Sequence, residues 1–517
     1  MSTRIQNLYA ALVGVVAAMA TLAVAEVVAL FVGAGSSPLA AVGSLVIDLV
    51  PSWVKDTAIA LFGTADKIAL LVGLGLLVLI LALGIGVLQF YRPPLGLIAL
   101  GVVGLIATIA ATTRAEANAL WAVPTVLGTI VGILVLNLGI RRLHRWMDVA
   151  TPVSGTPNSS GVSRRGFIGF SGATAASALV VGVAARMVNS ASSAVTAIRE
   201  ALVIPAPATT AAPTPAGAEL DVAGISELFT PNEEYYRIDT ALQVPVIDPE
   251  TWVLKVTGMV EEEIEITLDE LLSLPLIQTA VTLACVSNEV GGGLIGNAMW
   301  VGYPIRDLLA RAKPLADADM VLSRSVDGFT ASTPIEILQD TSRDAILAVS
   351  MNGEPLPLEH GFPVRMVVPG LYGYVSATKW VTELKLTRFA DETAYWTTRG
   401  WDAKGPIKTS SRIDVPTGNA SVSAGHVAVA GVAWAQHTGI EKVEVRVDSG
   451  PWTEATLAEA ISLDTWRQWV YDWEAEPGSY VLQVRATDLA GKTQSGKEVF
   501  VAPNGSEGWH TIDVTVE

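Results

Sequence analysis

Four stretches of the chain are predominantly apolar over lengths that cross a bilayer: 8–33, 67–90, 94–112 and 118–140. A fifth, 38–63, is apolar but broken by Asp48, Pro51, Lys55 and Asp56, and it reads as a re-entrant or interfacial pair. A small-residue apolar run at 168–185 follows Ser163-Arg164-Arg165-Gly166-Phe167-Ile168-Gly169, the pattern of a twin-arginine signal set in mid-chain. Residues 205–219, rich in Ala, Pro and Thr, read as an extended, semi-rigid spacer that holds the following domain off the membrane surface.

Beyond residue 220 the periodicity changes. Trp252-Val253-Leu254-Lys255-Val256 reads as a strand, and Thr267-Leu268-Asp269-Glu270 as a capping box opening a helix over 268–274. Pro304 opens a helix that runs through Arg311, and the β-branched run 364–368 is a buried strand stopped by Pro369-Gly370. Short helices and strands without a βαβ period indicate an α+β domain. From about 409 the pattern is strands alone, at 426–434, 440–448, 468–475, 479–487 and 510–516, with turns such as Asp448-Ser449-Gly450 between them. That spacing predicts an immunoglobulin-like sandwich with no disulfide. The expected fold class is multi-domain: an N-terminal α-helical transmembrane bundle (1–146), a signal or anchor helix (163–188), a linker (200–220), an α+β domain (221–408) and an all-β sandwich (409–517).

Charge sharpens this division. Residues 1–199 hold 12 Lys+Arg against 6 Asp+Glu, and residues 200–517 hold 21 against 44, so +6 and −23 make the −17 of the whole chain. A strongly acidic second part excludes nucleic acid as a partner and suits a basic electron-transfer partner. Four spans with the N-terminus inside place Arg4, Arg92 and Arg141-Arg142-Leu143-His144-Arg145 in the cytoplasm. A fifth span at 38–63 would place the N-terminus outside.

One cysteine in 517 residues excludes intrachain disulfides, thiolate-held iron–sulfur clusters and c-type haem attachment. None of the five histidines lies in an apolar span, which excludes a b-type haem held between helices of this chain. That cysteine ends an apolar run, Val281-Thr282-Leu283-Ala284-Cys285-Val286-Ser287-Asn288-Glu289-Val290-Gly291-Gly292-Gly293. A strand feeding a glycine-rich loop presents a side chain from a rigid base. No GxxxxGK(S/T) phosphate-binding loop is present.

A second stretch, Met351-Asn352-Gly353-Glu354-Pro355-Leu356-Pro357-Leu358-Glu359-His360-Gly361-Phe362-Pro363-Val364-Arg365, leads to Val367-Val368-Pro369-Gly370 and Lys379-Trp380. Over about residues 230–517 these features together resemble the sulfite oxidase family of molybdenum–molybdopterin enzymes. The resemblance implies that Cys285 ligates molybdenum beside two dithiolene sulfurs and is the catalytic centre. It implies that His360, Arg365 and Lys379 hold the pterin and its phosphate, and that Asn232, Tyr235, Arg237 and Asn288 line the cofactor. A soft thiolate suits a metal already bound by sulfur, and such a ligand should titrate well below a free thiol.

The resemblance further implies two-electron oxygen-atom transfer on a small molecule, with molybdenum-molybdopterin as cofactor and dimerisation through 409–517. Electrons would leave to a cytochrome, a quinone or a haem-bearing subunit. A cofactor assembled in the cytoplasm must be exported in a folded domain, which fits the twin-arginine motif and a catalytic domain outside the cytoplasmic membrane of a prokaryote. The chain departs from the family after the cysteine, where Glu289 and Val290 replace an anion-binding arginine; Arg324 and Arg467 are the candidates for compensation. Oxidation of sulfite or a related compound, reduction of an S-oxide or N-oxide, and a cofactor-free membrane-tethered interaction module are the three readings.

Overall fold

The computed structural model describes residues 3–50, 66–114, 117–149 and 193–517, with short pieces at 54, 169, 172–180 and 182–183. The chain divides into two units, Met1–Ser193 with Thr240–Val244, and Ala194–Asp239 with Pro245–Glu517.

The first unit is helical: α1 (Thr3–Val32), α2 (Pro38–Leu49), α3 (Asp66–Tyr91), α4 (Leu95–Thr112) and α5 (Ala122–Val149). Among the described residues, the segments Thr3–Val32, Ala69–Tyr91, Leu95–Thr112 and Ala119–Met147 are long and apolar enough to cross a membrane. Glycine brings α1 and α3 together. A Cβ on Gly14 would lie 2.0 Å from the Ala82 carbonyl oxygen, and one on Gly86 2.2 Å from that of Ala10. Backbones this close gain extensive van der Waals contact. The expected 38–63 segment begins as α2, which Ser37 caps by accepting from the Ala40 N–H at 3.4 Å. Twelve residues do not span a bilayer, and apart from Val54 residues 51–63 lie outside the described residues. The twin-arginine motif at 163–169 also lies outside them, Gly169 excepted.

Two sheets form the first part of the second unit. One runs in the order β3 (Ile277–Ala284), β4 (Ile295–Pro304), β7 (Ile346–Met351), β8 (Glu354–Pro355), with β9 (Arg365–Val367) also on β7. The other runs β2 (Ile264–Thr267), β1 (Val253–Gly258), β10 (Val381–Thr387), β5 (Met320–Ser325), β6 (Thr330–Pro334). Only the β1–β10 pair in these two sheets is parallel. Helices α6 (Ser193–Ala201), α7 (Leu268–Ser273), α8 (Ile305–Ala312) and α9 (Ile335–Gln339) accompany them. The α7 capping box is present in both directions, Thr267 to Glu270 and back. One core joins the sheets through Leu254, Val256, Leu347, Val349, Val364 and Leu384. Every residue of β7 is buried, which explains why all but Ser350 are apolar.

The second part holds two further sheets, β11 (Ser410–Val415), β13 (Gly425–Trp434), β17 (Arg467–Ala475), β16 (Thr456–Leu457), and β12 (Ala420–Val422), β19 (His510–Val516), β18 (Gly478–Asp488), β14 (Ile440–Val447), β15 (Thr453–Glu454). They share a core of Ile413, Val429, Val443, Trp469, Leu482, Val484, Ile512 and Val514. Strand β19 shows the alternation that makes this possible, with Ile512, Val514 and Val516 inward and Thr511, Asp513 and Thr515 outward.

Residues 205–219, expected as a spacer, lie against the second unit. The Ala208 N–H donates to the Leu276 carbonyl at 2.7 Å, and the Gln278 N–H to that of Thr209 at 2.8 Å. The Leu220 N–H donates to Gln468 Oε1 at 2.7 Å. An extended Pro-rich segment has unpaired backbone groups, and β3 at its sheet's edge offers them partners.

Candidate active site

Strands β3 and β4 form an antiparallel hairpin that ends with Ala284 opposite Ile295, so Cys285–Leu294 is its loop. The loop closes on itself: the Cys285 N–H donates to the Leu294 carbonyl at 2.9 Å, and the Asn288 N–H to that of Cys285 at 3.1 Å. The Leu294 N–H donates to Asn288 Oδ1 at 2.8 Å. Asn288 is buried and shapes the loop; Glu289 is exposed. Cys285 is 7% exposed. Burial pushes its thiol up, with hydrogen bonds at Ser287 partly offsetting it. Without a metal the thiol therefore favours its neutral form; the depressed thiol expected of a metal ligand belongs to the metal-bound state, in which a cation at sulfur would stabilise the thiolate.

Beside this loop lies a buried aromatic and cationic cluster. Tyr235 donates to the Gly296 carbonyl at 2.9 Å, and its ring stacks on Tyr236 at 5.3 Å and meets His360 edge-on at 5.5 Å. Cys285 and Arg365 both act electrostatically on Tyr236, and Gly373 sits where a Cβ would be 3.7 Å from the Ala284 carbonyl and 3.9 Å from the Tyr236 hydroxyl. Thiol, tyrosines and guanidinium thus occupy one contiguous region.

His360 is 3% exposed, with Nε2 3.1 Å from the Asn232 carbonyl. Burial, then the positive charge of Arg365, lowers its pKa to about 4, so it is neutral at physiological pH. Arg365 stands 5.1 Å over the Trp300 ring and is 5% exposed. Its guanidinium donates to the carbonyls of Met366, His360 and Ala377 at 3.3, 3.2 and 3.5 Å, all long for charged donors. Among the described residues no carboxylate pairs with it. A buried cation held only by such contacts is costly unless an anion joins it.

Lys379 is 9% exposed and donates to Asp239 Oδ2 at 2.7 Å and to the Glu359 carbonyl at 3.0 Å. Burial lowers its pKa to about 8, against the pull of Asp239. Arg237 meets the same carboxylate oxygen at 3.0 Å and keeps 38% of its side chain exposed. Gly361, at φ +113°, lets Arg365 and Lys379 converge; a Cβ there would sit 3.0 and 3.1 Å from theirs. Asn232 donates to the Met351 carbonyl at 3.3 Å and to Glu354 Oε1 at 3.2 Å, and accepts from Asn352 at 2.9 Å.

The structure brings Asn232, Tyr235, Cys285, His360 and Arg365 together, and joins Arg237 to Lys379 through Asp239. Sequence reasoning missed Asp239, Tyr236, Trp300 and Asn352, whose roles depend on pairings across the fold. Arg324 and Arg467, the candidates for compensation, each engage other groups. Arg324 pairs with Glu383 at 3.2 Å, and Arg467 donates to the carbonyls of Ala458 and Ile440 at 2.6 and 3.0 Å. A buried guanidinium without a carboxylate, a lysine and a neutral histidine fit an anionic, hydrogen-bonding cofactor. Among the described residues no group of three His, Cys, Asp or Glu could hold a metal, so a metal here would take Cys285 from the chain and its other ligands from that cofactor.

Residues 241–396 match the family described as "Oxidoreductase molybdopterin binding domain". The chain is 31% identical over 271 residues to mitochondrial sulfite oxidase of Mus musculus, covering 44% of this chain and 49% of that one. It is 28% identical over 342 residues to mitochondrial sulfite oxidase of Homo sapiens, covering 56% and 62%. The chain thus spans about half the length of the first of these relatives. A solved structure, the sulfane dehydrogenase SoxCD from Paracoccus pantotrophus, aligns over 56% of this chain and 85% of that one, at 24% identity and a TM-score of 0.49.

Proposed function

We propose that this chain is a membrane-anchored molybdenum oxidoreductase of the sulfite oxidase family that catalyses two-electron oxygen-atom transfer, best read as oxidation of sulfite or a related small compound; the match of residues 241–396 to the molybdopterin-binding family and the similarity to mitochondrial sulfite oxidases support this. The observation that carries the reading is the single thiol of Cys285 set against a buried guanidinium, Arg365, that has no carboxylate partner among the described residues. When bound, molybdenum–molybdopterin would supply the oxygen transfer and the two-electron redox change.

The chain's own residues bind and orient. Cys285 would ligate the metal. Arg365 would offer its planar fork to the cofactor's anionic part, and Lys379 a point charge. Neutral His360 would donate or accept one hydrogen bond without adding charge. Asn232, Tyr235 and Arg237 would line the cofactor, and Asn288 would hold the shape of the cysteine loop.

A second reading, reduction of an S-oxide or N-oxide, is favoured by one observation: Arg324 and Arg467, the cations that could replace the anion-binding arginine, are committed elsewhere. We further propose an extracytoplasmic catalytic domain in a prokaryotic membrane, exported folded through the twin-arginine motif. Residues 409–517 would be an immunoglobulin-like dimerisation domain, and electrons would pass to a cytochrome, a quinone or a haem-bearing subunit. The four apolar helices and the acidic second part support this arrangement.

The test is the molybdenum and pterin content of the full chain, purified in detergent from a cofactor-competent host. Near-stoichiometric metal and pterin, with turnover of sulfite or of an S-oxide, supports the enzyme and sets its direction. A folded chain with neither would overturn it and leave the interaction module.

A further inference from the structure

The segment that carries Cys285 is held from outside its own domain. Upstream, Thr282 is three residues from the cysteine on β3. Its N–H donates to the Asp464 carbonyl at 2.9 Å, its hydroxyl accepts from the Trp466 N–H at 2.8 Å, and its carbonyl accepts from Gln436 Nε2 at 3.1 Å. Downstream, Arg412 on β11 donates through Nη1 to the Gly292 carbonyl at 2.8 Å. Ser506 donates to the Asn288 carbonyl at 2.7 Å. The His510 ring fills the space beside Gly291, where a Cβ would lie 2.2 Å from it; Gly291 has φ +78°, so glycine is required there twice over. All these partners belong to the C-terminal two-sheet part of the chain.

We propose that this part seats the cysteine, with Arg412 as the main positioning residue. Arg412 is itself fixed before it reaches the loop. Its Nε meets Asp414 Oδ1 at 2.6 Å, and its Nη2 donates to the Ser226 hydroxyl at 2.7 Å. The Ser226 N–H in turn donates to Asp414 Oδ2 at 3.0 Å. A guanidinium locked on two sides presents its Nη1 N–H groups in fixed directions, and so fixes the loop at Gly292 at little further entropic cost. The loop's internal bonds close its two ends on each other but do not set its tilt on the strand. The contacts from Arg412, Ser506 and His510 do. In catalytic terms this rests on the reading of Cys285 as the metal ligand, whose sulfur must meet the metal from a fixed direction. The dimerisation proposed for the same part of the chain is a separate matter.

The single cysteine makes the test clean, because a thiol reagent counts nothing else. The full chain is made without cofactor, solubilised in detergent and treated with iodoacetamide. Buried Cys285 reacts slowly. Arg412→Ala is expected to speed its alkylation about tenfold, the effect of losing a charged hydrogen bond on local opening. Arg485→Ala removes the 2.9 Å pair with Glu444, away from the cysteine loop, and is the control for general loosening of the same part. A rate unchanged in Arg412→Ala, or raised equally in the control at the same melting temperature, overturns the proposal. Should Arg412→Ala not fold, Ser506→Ala decides: a rise of about threefold supports the proposal and an unchanged rate overturns it. Molybdenum content is measured separately on cofactor-loaded protein. A chain that binds no molybdenum but shows the alkylation response would sink the metal-ligand reading while leaving the seating intact.

Discussion

At the scale of the residue, the thiol and the imidazole lead to different experiments. Cys285→Ser replaces a soft ligand with a hard hydroxyl of similar size. It should abolish turnover and lower bound molybdenum while leaving the melting temperature within a few degrees; full activity would remove the metal-ligand role. His360 gives a prediction about acid. Its pKa falls to about 4 in the fold, against roughly 6.5 in the unfolded chain. Between these values the unfolded state binds the proton and the folded state does not, so stability falls as pH drops through that window. For the cofactor-free chain the loss is up to about 3 kcal/mol, and denaturant melts of His360→Gln should show a shallower decline. Cys285, His360, Arg365 and Lys379 could be picked out from the sequence because each sits in a short, distinctive neighbourhood. Asp239 could not: nothing local distinguishes an aspartate that bridges Arg237 to a lysine 140 positions away from one that faces solvent.

At the scale of the element, the sequence was most legible where structure is local. The capping box at Thr267 and Glu270 forms as read, because both partners lie within one turn. Thr267→Ala should lower stability by about 1 kcal/mol in urea melts of the full chain, and no change would mean that tertiary packing alone holds α7. The long strands β13, β14, β17, β18 and β19 begin and end close to their expected limits, since alternation and turn residues mark them. Strand β11, Ser-Ser-Arg-Ile-Asp-Val, passed unseen because its polar side chains serve other segments: Ser411 bonds Gln494, and Arg412 reaches the cysteine loop. The proline-rich stretch was misjudged for a related reason. Its composition gives its stiffness, while its docking depends on a sheet edge that appears only once the strands have paired.

At the scale of the whole molecule, the division into an apolar helical unit and an acidic sheet-rich unit follows directly from charge and hydropathy. Export is the prediction that belongs here. Arg164→Lys with Arg165→Lys should leave residues 221–517 inside the cell, protected from protease added to spheroplasts. Digestion equal to wild type would rule out the twin-arginine reading. Which face of each sheet meets which, and which domain supplies a residue to another's loop, are set by long-range packing that no local pattern encodes.

The bond from Ser506 to Asn288 joins residues 218 positions apart, and His510 lies on the last strand of the chain. The seat of the cysteine therefore cannot be finished until Ser506 and His510, far downstream of it, have been made. Any group that needs a shaped seat around Cys285 must wait for those distant residues to fold back onto it. A chain stopped just before Ser506 would keep its cysteine and the Arg412 contact but lose the Ser506 and His510 holds on the cysteine loop.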